Sequence, residues 1–245
     1  MVLQSCFSSR EEKAAAFDAV DIYPVISSEF TLGRPVVEIF EAVAAGGAKI
    51  VQLREKNKGM KYLYELAVAC RPIANRYGIL LMIDDYVDVA LAANADGVHL
   101  GQDDLPIPVA RAIAPGLWLG NSTHNLEEAL AAKAAGADCI NIGPIYPTQT
   151  KSVNCGALGL NAIGRIAPEA ALPFSVMGGI KKHCIPELLA AGAKHIAMVT
   201  EITRAPDVEA RVRELRALFN RKAKSRMPCC LRWRRVGAIK RRQSK

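Results

Sequence analysis

The chain has 245 residues, 51% hydrophobic but only 6% aromatic, and its 32 Lys and Arg against 24 Asp and Glu give a formal charge of +8. That length suits one large domain with a core of small and branched side chains, as in sheets covered by helices. No apolar run is long enough for a bilayer span, and no zinc or disulfide spacing joins Cys6, Cys70, Cys139, Cys155, Cys184, Cys229 and Cys230, which argues against a membrane protein and a disulfide scaffold.

The charge is unevenly placed. From Asn220 to Lys245 there are many Lys and Arg and no Asp or Glu, so the remainder is near neutral or slightly acidic. Met1 to Ala16 lacks a basic flank followed by an apolar block and does not read as a signal peptide. The expectation is a soluble cytoplasmic protein with reduced cysteines.

From Val20 to Phe219 a short apolar run followed by a helical stretch recurs. Ile22–Ile26 leads to a helix over Val36–Ala45, stopped by Gly46-Gly47, since glycine adopts the left-handed conformation that closes a helix. Lys49–Leu53 is the second strand and Met60–Tyr77 its helix. Between them, alternation in Gln52-Leu53-Arg54-Glu55-Lys56 turns Gln52, Arg54 and Lys56 one way and Leu53 and Glu55 the other. A guanidinium fork beside an ammonium suits phosphate oxygens, although a solvated strand end reads the same. The third strand, Ile79–Ile83, ends in Asp84-Asp85 before a helix over Val87–Ala93. Paired carboxylates there suit magnesium or, equally, helix capping.

The fourth strand, Gly97–Leu100, opens Gly101-Gln102-Asp103-Asp104 before a helix over Ile107–Ile113. Adjacent loops can bring Asp85 and Asp104 to one ion, and His99 reads as a core residue satisfied by hydrogen bonds. After Leu117–Leu119 comes Gly120-Asn121-Ser122-Thr123-His124, small and hydroxylated, suited to a phosphate or a heterocycle edge; Ser122 has no evident triad partners. Asn125 is placed to cap a helix over Leu126–Ala135.

Cys139–Ile142 precedes Gly143-Pro144-Ile145-Tyr146-Pro147-Thr148-Gln149-Thr150-Lys151, where two hydroxyls and an ammonium suit an anionic ligand under a closing loop, or a plain polar surface loop. A helix over Leu160–Ala167 follows. Phe174–Met177 runs into Gly178-Gly179-Ile180, then a helix over Cys184–Ala191; His195–Val199 runs into Thr200-Glu201, then a helix over Asp207–Asn220. Eight such units predict a parallel sheet closed as a single-domain (β/α)8 barrel with its active site at the carboxyl ends of the strands, where the last two loops often bind phosphate.

The segments Gln52-Leu53-Arg54-Glu55-Lys56, Asp84-Asp85, Asp96 to Asp104, Gly143 to Lys151 and Gly178-Gly179-Ile180, in this order, resemble the thiamine-phosphate synthase family from about Tyr23 to Phe219. The resemblance implies a transferase. It joins 4-amino-2-methyl-5-hydroxymethylpyrimidine diphosphate to 4-methyl-5-(2-phosphoethyl)thiazole, or its carboxylated form, releasing thiamine phosphate and pyrophosphate with magnesium assisting diphosphate departure. It also implies that Gln52, Arg54 and Lys56 hold the pyrimidine diphosphate, that Asp85 and Asp104 bind Mg2+, that Ser122 contacts the substrates, and that Lys151 grips the diphosphate. Thr148, Thr150, Gly179, Val199 and Thr200 would hold the thiazole phosphate.

One position departs from the family. Asp84 stands where the family usually has Asn, adding a negative charge beside a diphosphate; the expectation is weaker diphosphate binding or a changed metal dependence. Residues 1–19 read as an N-terminal extension, 20–220 as the barrel and 221–245 as a basic tail, expected to be disordered. The partners expected are the two small substrates, with no membrane; a homo-oligomer is compatible with this, and the tail is the one segment suited to nucleic acid. Two other readings stand beside this one: a thiazole tautomerase-like barrel, resembled at Ser122-Thr123-His124, and a non-catalytic thiazole-phosphate binder.

Overall fold

The computed structural model describes residues 2–148, 150 and 156–225. In chain order the elements are α1 (Arg10–Asp18), β1 (Ile22–Ile26), α2 (Val36–Ala45), β2 (Ile50–Leu53), α3 (Met60–Tyr77), β3 (Leu80–Asp84), α4 (Val87–Ala92), β4 (Gly97–Leu100), α5 (Ile107–Ile113) and β5 (Trp118–Thr123). There follow α6 (Leu126–Ala134), β6 (Cys139–Ile142), α7 (Asn161–Ala170), β7 (Phe174–Val176), α8 (Ile185–Ala190), β8 (His195–Met198), α9 (Thr200–Thr203) and α10 (Val208–Ser225). The strands close in sequence order into one parallel barrel, β8 returning to β1 with Ile196 opposite Ile22. This is the (β/α)8 fold that the alternation predicts.

The pleat sorts the core into two layers. Val51, Leu53, Leu81, Ile83, Val98 and Ile140 pack between sheet and helices. The alternate positions Ile50, Leu80, Met82, Trp118 and Cys139 fill the barrel's interior with Tyr23 and Ala197. Higher along the same inward rows the residues become polar: Gln52, Asp84, His99, Ser122, Asn141 and Ser175, all buried. Neighbouring strands pair them, Gln52 with Asp84 at 2.6 Å, His99 with Ser122 at 3.0 Å and Asn141 with Ser175 at 2.7 Å. An apolar floor under a polar roof fixes which end of the barrel can hold a polar ligand.

Several expectations hold in detail. Gly47, Gly136 and Gly192 take positive φ after their helices, and the Asn125 side chain accepts from the Glu128 N–H at 2.8 Å. Others differ. β5 extends to Thr123, well past Leu119, because Asn121 and Ser122 pair with Leu100 and Asn141 on both sides, and sheet context overrides turn-like composition. α7 continues beyond Ala167 to Ala170, tolerating Pro168. α10 runs to Ser225, and residues 226–245 of the basic tail lie outside the described residues.

The N-terminal residues hold a helix that the periodicity misses. Ser9 and Glu12 form a capping box on α1, and Phe17 buries its ring against Trp118 and His195, with centroids 5.6 and 4.8 Å away. Burying that ring contributes about 1.5–3 kcal/mol and plugs the barrel's amino-terminal end. Nearby, Asp96 accepts from the Leu81 N–H at 2.7 Å and the fully buried Arg71 at 2.8 Å, and also from Ser5. Asp138 repeats the pattern one strand pair on, with the Leu119 N–H at 2.7 Å, Arg111 at 2.6 Å, and Arg10.

Candidate active site

A cleft of about 900 Å³, including its open mouth, lies at the carboxyl ends of the strands, above the polar roof. Of the residues singled out by sequence, Gln52, Arg54, Asp84, Ser122, Thr148, Thr150, Gly179, Val199 and Thr200 line it. Lys56, Asp85 and Asp104 are tied to this lining in turn, Lys56 to Asp84, Asp85 to Lys56 and Asp104 to Asp85. Lys151 and Gln149 lie outside the described residues.

On the β2–β3 side, cations and carboxylates interleave. Asp84 accepts from Gln52, and its second oxygen is 3.5 Å from Arg54 Nε and 3.4 Å from Lys56 Nζ. Lys56 also bonds Asp85. Glu55, on the opposite side of the strand, is buried and accepts from the Ser28 N–H and hydroxyl, both at 2.7 Å, so it anchors the loop after β1. Asp85 takes a left-handed φ of 64°, which turns its carboxylate away from the strand's own alternation. Its N–H is held by the His99 carbonyl at 2.9 Å.

Electrostatics at Asp85 are unfavourable for a bare carboxylate. Burial, then the neighbouring Asp84, push it up to about 7, reinforced by a hydrogen bond with Asp104 and opposed by Lys56. Burial pulls the Lys56 ammonium down, but Asp84 and Asp85 outweigh it and the net direction is up. Asp104 also accepts from the Gly101 N–H at 2.6 Å, which ties the loop after β4. Two carboxylates in contact, with Asp85 pushed up by burial and its acidic neighbours, are a donor set that a divalent cation would relieve. No group of three or more His, Cys, Asp or Glu is gathered for a metal among the described residues. A cation here would take its remaining oxygens from water or phosphate, the habit of magnesium.

The opposite wall is built by loops that fit closely. The Ile145 and Tyr146 N–H groups bond the Met177 and Gly178 carbonyls at 2.8 and 3.0 Å. A Cβ on Gly178 would come within 2.5 Å of Pro144 Cα, and one on Gly179 within 2.3 Å of the Pro147 carbonyl. With φ of 100° and 64°, the two glycines are therefore demanded first by loop packing, whatever they also offer a ligand. Tyr146 extends to Glu187 on α8, pinning the loop, and Thr148 and Thr150 share a hydrogen bond of 2.9 Å.

Sequence reasoning missed several lining residues. His99 is buried as expected, yet it also lines the cleft and directs Ser122. Asn141 lines it too; His124, which the sequence did single out, also lines it and bonds Glu128 at 2.8 Å through Nδ1. Lys181 lines the β7–β8 wall, its Nζ donating to the Thr200 hydroxyl at 3.1 Å. Its signal was present: a cation directly follows Gly178-Gly179-Ile180.

A family model described as thiamine monophosphate synthase matches residues 22–202. A thiamine-phosphate synthase of Pelotomaculum thermopropionicum is 41% identical over 203 residues, covering 82% of this chain and 93% of that protein. The thiamine-phosphate synthase of Shouchella clausii is 43% identical over 190 residues, covering 77% and 91%. Among solved structures, a thiamine phosphate pyrophosphorylase from Pyrococcus furiosus superposes with a TM-score of 0.78 at 35% identity, covering 84% of this chain and 98% of that one. The family match spans all eight strands and the strand-end loops that line the cleft, and the chain belongs to the thiamine monophosphate synthase family.

Proposed function

We propose that this enzyme condenses 4-amino-2-methyl-5-hydroxymethylpyrimidine diphosphate with 4-methyl-5-(2-phosphoethyl)thiazole to thiamine phosphate and pyrophosphate, or with its carboxylated form, which loses carbon dioxide as well. The observation that carries the reading is the interleaved cluster of Arg54, Lys56, Asp84, Asp85 and Asp104 at one rim of a cleft whose other rim is hydroxyl- and glycine-lined. A charged diphosphate and a heterocyclic monophosphate need such unlike halves.

In the reaction the methylene C–O bond breaks and its electron pair leaves with the diphosphate. The thiazole nitrogen lone pair then forms the C–N bond, and the positive charge ends on the thiazolium ring. This sequence consumes no protein base. Arg54 and Lys56, with Lys151, neutralise the leaving group in a site shielded from water. Asp85 and Asp104 would hold magnesium, which when bound supplies further charge neutralisation to the diphosphate. Gln52, Asp84 and Ser122 orient the pyrimidine, Ser122 being directed by His99. Thr148, Thr150, Gly179, Val199 and Thr200 receive the thiazole phosphate. The setting is cytoplasmic, in keeping with the free, buried Cys70, Cys139 and Cys184 and with the lack of any helix, among the described residues, long and apolar enough to cross a membrane.

His124 at the cleft, bonded to Glu128, supports a second reading, a proton-moving tautomerase-like barrel. Incubating the full chain with both substrates, with and without magnesium, separates the two. Equimolar thiamine phosphate and pyrophosphate, formed only with magnesium, are expected. Thiazole isomerisation without pyrophosphate would favour the second reading, and binding without any product would leave a phosphate-ligand binder.

A further inference from the structure

We propose that Lys181 is the cation that reads the phosphate of the thiazole substrate, and that Glu201 and Arg211 aim it. The inference rests on the two-substrate reading above and assigns a residue within it. Among the described lining residues, Arg54 and Lys181 are the Lys and Arg side chains of the cleft. Arg54 is engaged with Asp84 on the β2–β3 side. Lys181 stands on the β7–β8 wall with the hydroxyls and glycines, where a monophosphate has its other partners.

The surroundings of Lys181 hold it in place without consuming it. Its ammonium has three N–H donors, and the Thr200 hydroxyl takes one at 3.1 Å. Glu201 lies 3.9 Å away, a tether and not a tight pair. The reason is on α10: Arg211 takes Glu201 at 3.2 Å and Glu214 at 3.1 Å, and Glu214 in turn pairs with Lys182. The chain Lys181–Glu201–Arg211–Glu214–Lys182 thus balances Glu201 from behind. The Lys181 side chain remains 47% exposed toward the cleft mouth, while Glu201 is 15% exposed. An incoming phosphate would find donors at Lys181 and Thr200 on one wall of the cleft. Without Arg211, Glu201 would draw the ammonium back.

The test is steady-state kinetics on the full chain with magnesium, comparing wild type, Lys181→Gln, Lys181→Arg, Arg211→Gln and the double variant, with inorganic phosphate as competitive probe. For Lys181→Gln, the KM for the thiazole phosphate and the inhibition constant of inorganic phosphate should each rise about tenfold, the loss of one partly exposed charged hydrogen bond. The KM for the pyrimidine diphosphate should hold within about twofold, and Lys181→Arg should restore most of the loss. Arg211→Gln should raise the thiazole KM about two- to threefold, and the double variant should be no worse than Lys181→Gln alone. Thermal unfolding confirms that each variant is folded. An unchanged thiazole KM in Lys181→Gln overturns the proposal, as does an equal rise for both substrates; additive losses in the double variant overturn the aiming role. A wild-type chain that yields no thiamine phosphate sinks the two-substrate reading itself, a result distinct from all of these.

Discussion

The two ends of the barrel use the same residue type in opposite ways. At the amino-terminal end, Asp96 and Asp138 each receive a backbone N–H from the neighbouring strand, a guanidinium from the helix before that strand and a donor from the N-terminal segment. At the carboxyl end, Asp84, Asp85 and Asp104 crowd one another with Arg54 and Lys56 between them, and Asp85 is pushed up to about 7 by burial and its acidic neighbours. A carboxylate satisfied from every side stabilises the fold and can do little else. One held against like charge is costly to the empty protein and gains when a cation and a ligand arrive.

The contrast can be broken most forcefully at the bottom. Replacing the fully buried Arg71 by Met leaves Asp96 charged and short of a partner, and should cost about 3–5 kcal/mol in urea unfolding, with turnover per folded molecule unchanged. At the rim the order reverses. Asp85→Asn should lower kcat/KM by about 10²–10³-fold while raising the unfolding midpoint measured in a chelator, because it removes a charge that burial and Asp84 disfavour. Should Asp85→Asn instead lower the unfolding midpoint with activity retained, the two ends would not differ as described.

Asp84→Asn sharpens the comparison within the rim. The carboxylate now competes with any phosphate for Arg54 and Lys56, at 3.5 and 3.4 Å. The amide should lower the KM for the pyrimidine diphosphate about three- to tenfold. An unchanged KM and magnesium requirement would remove Asp84 from the account of diphosphate binding.

A smaller effect concerns pH and belongs to the floor. His195 is buried against Phe17 with its ring N–H donated to the Val20 carbonyl at 2.6 Å, and burial holds its pKa below the ordinary 6.5. The unfolded chain therefore binds the proton more readily. The stability from neutral His195 is complete above pH 6.5 and is lost as pH falls through that value toward the depressed one. Urea midpoints between pH 8 and 5 should fall less in His195→Asn than in the wild type; parallel curves would contradict this.

Much of the fold was legible because strand and helix periods alternate and glycine marks the helix ends, as at Gly47, Gly136 and Gly192. Strand-end loops then pointed to the cleft, since a (β/α)8 barrel delivers every such loop to one face. What stayed hidden depends on register and close approach, which no single segment records. The His99–Ser122 bond needs β4 beside β5 in a particular register. The Gly178-Gly179 pair reads as a ligand loop until Pro144 and Pro147 are seen against it. α1 escaped because one buried Phe17 gives no period, although Ser9 and Glu12 spell a capping box. Lys181 was passed over because its neighbours Thr200, Glu201 and Arg211 come from α9 and the last helix, α10.

The central claim is that the crowded acidic rim is built for a cation and a diphosphate together. Calorimetric titration of the pyrimidine diphosphate into the full chain, with and without magnesium, measures that coupling directly. The account predicts at least about tenfold tighter binding with magnesium, a gain that disappears in Asp85→Asn. Equal affinity in both buffers, or an undiminished gain in the variant, would contradict it.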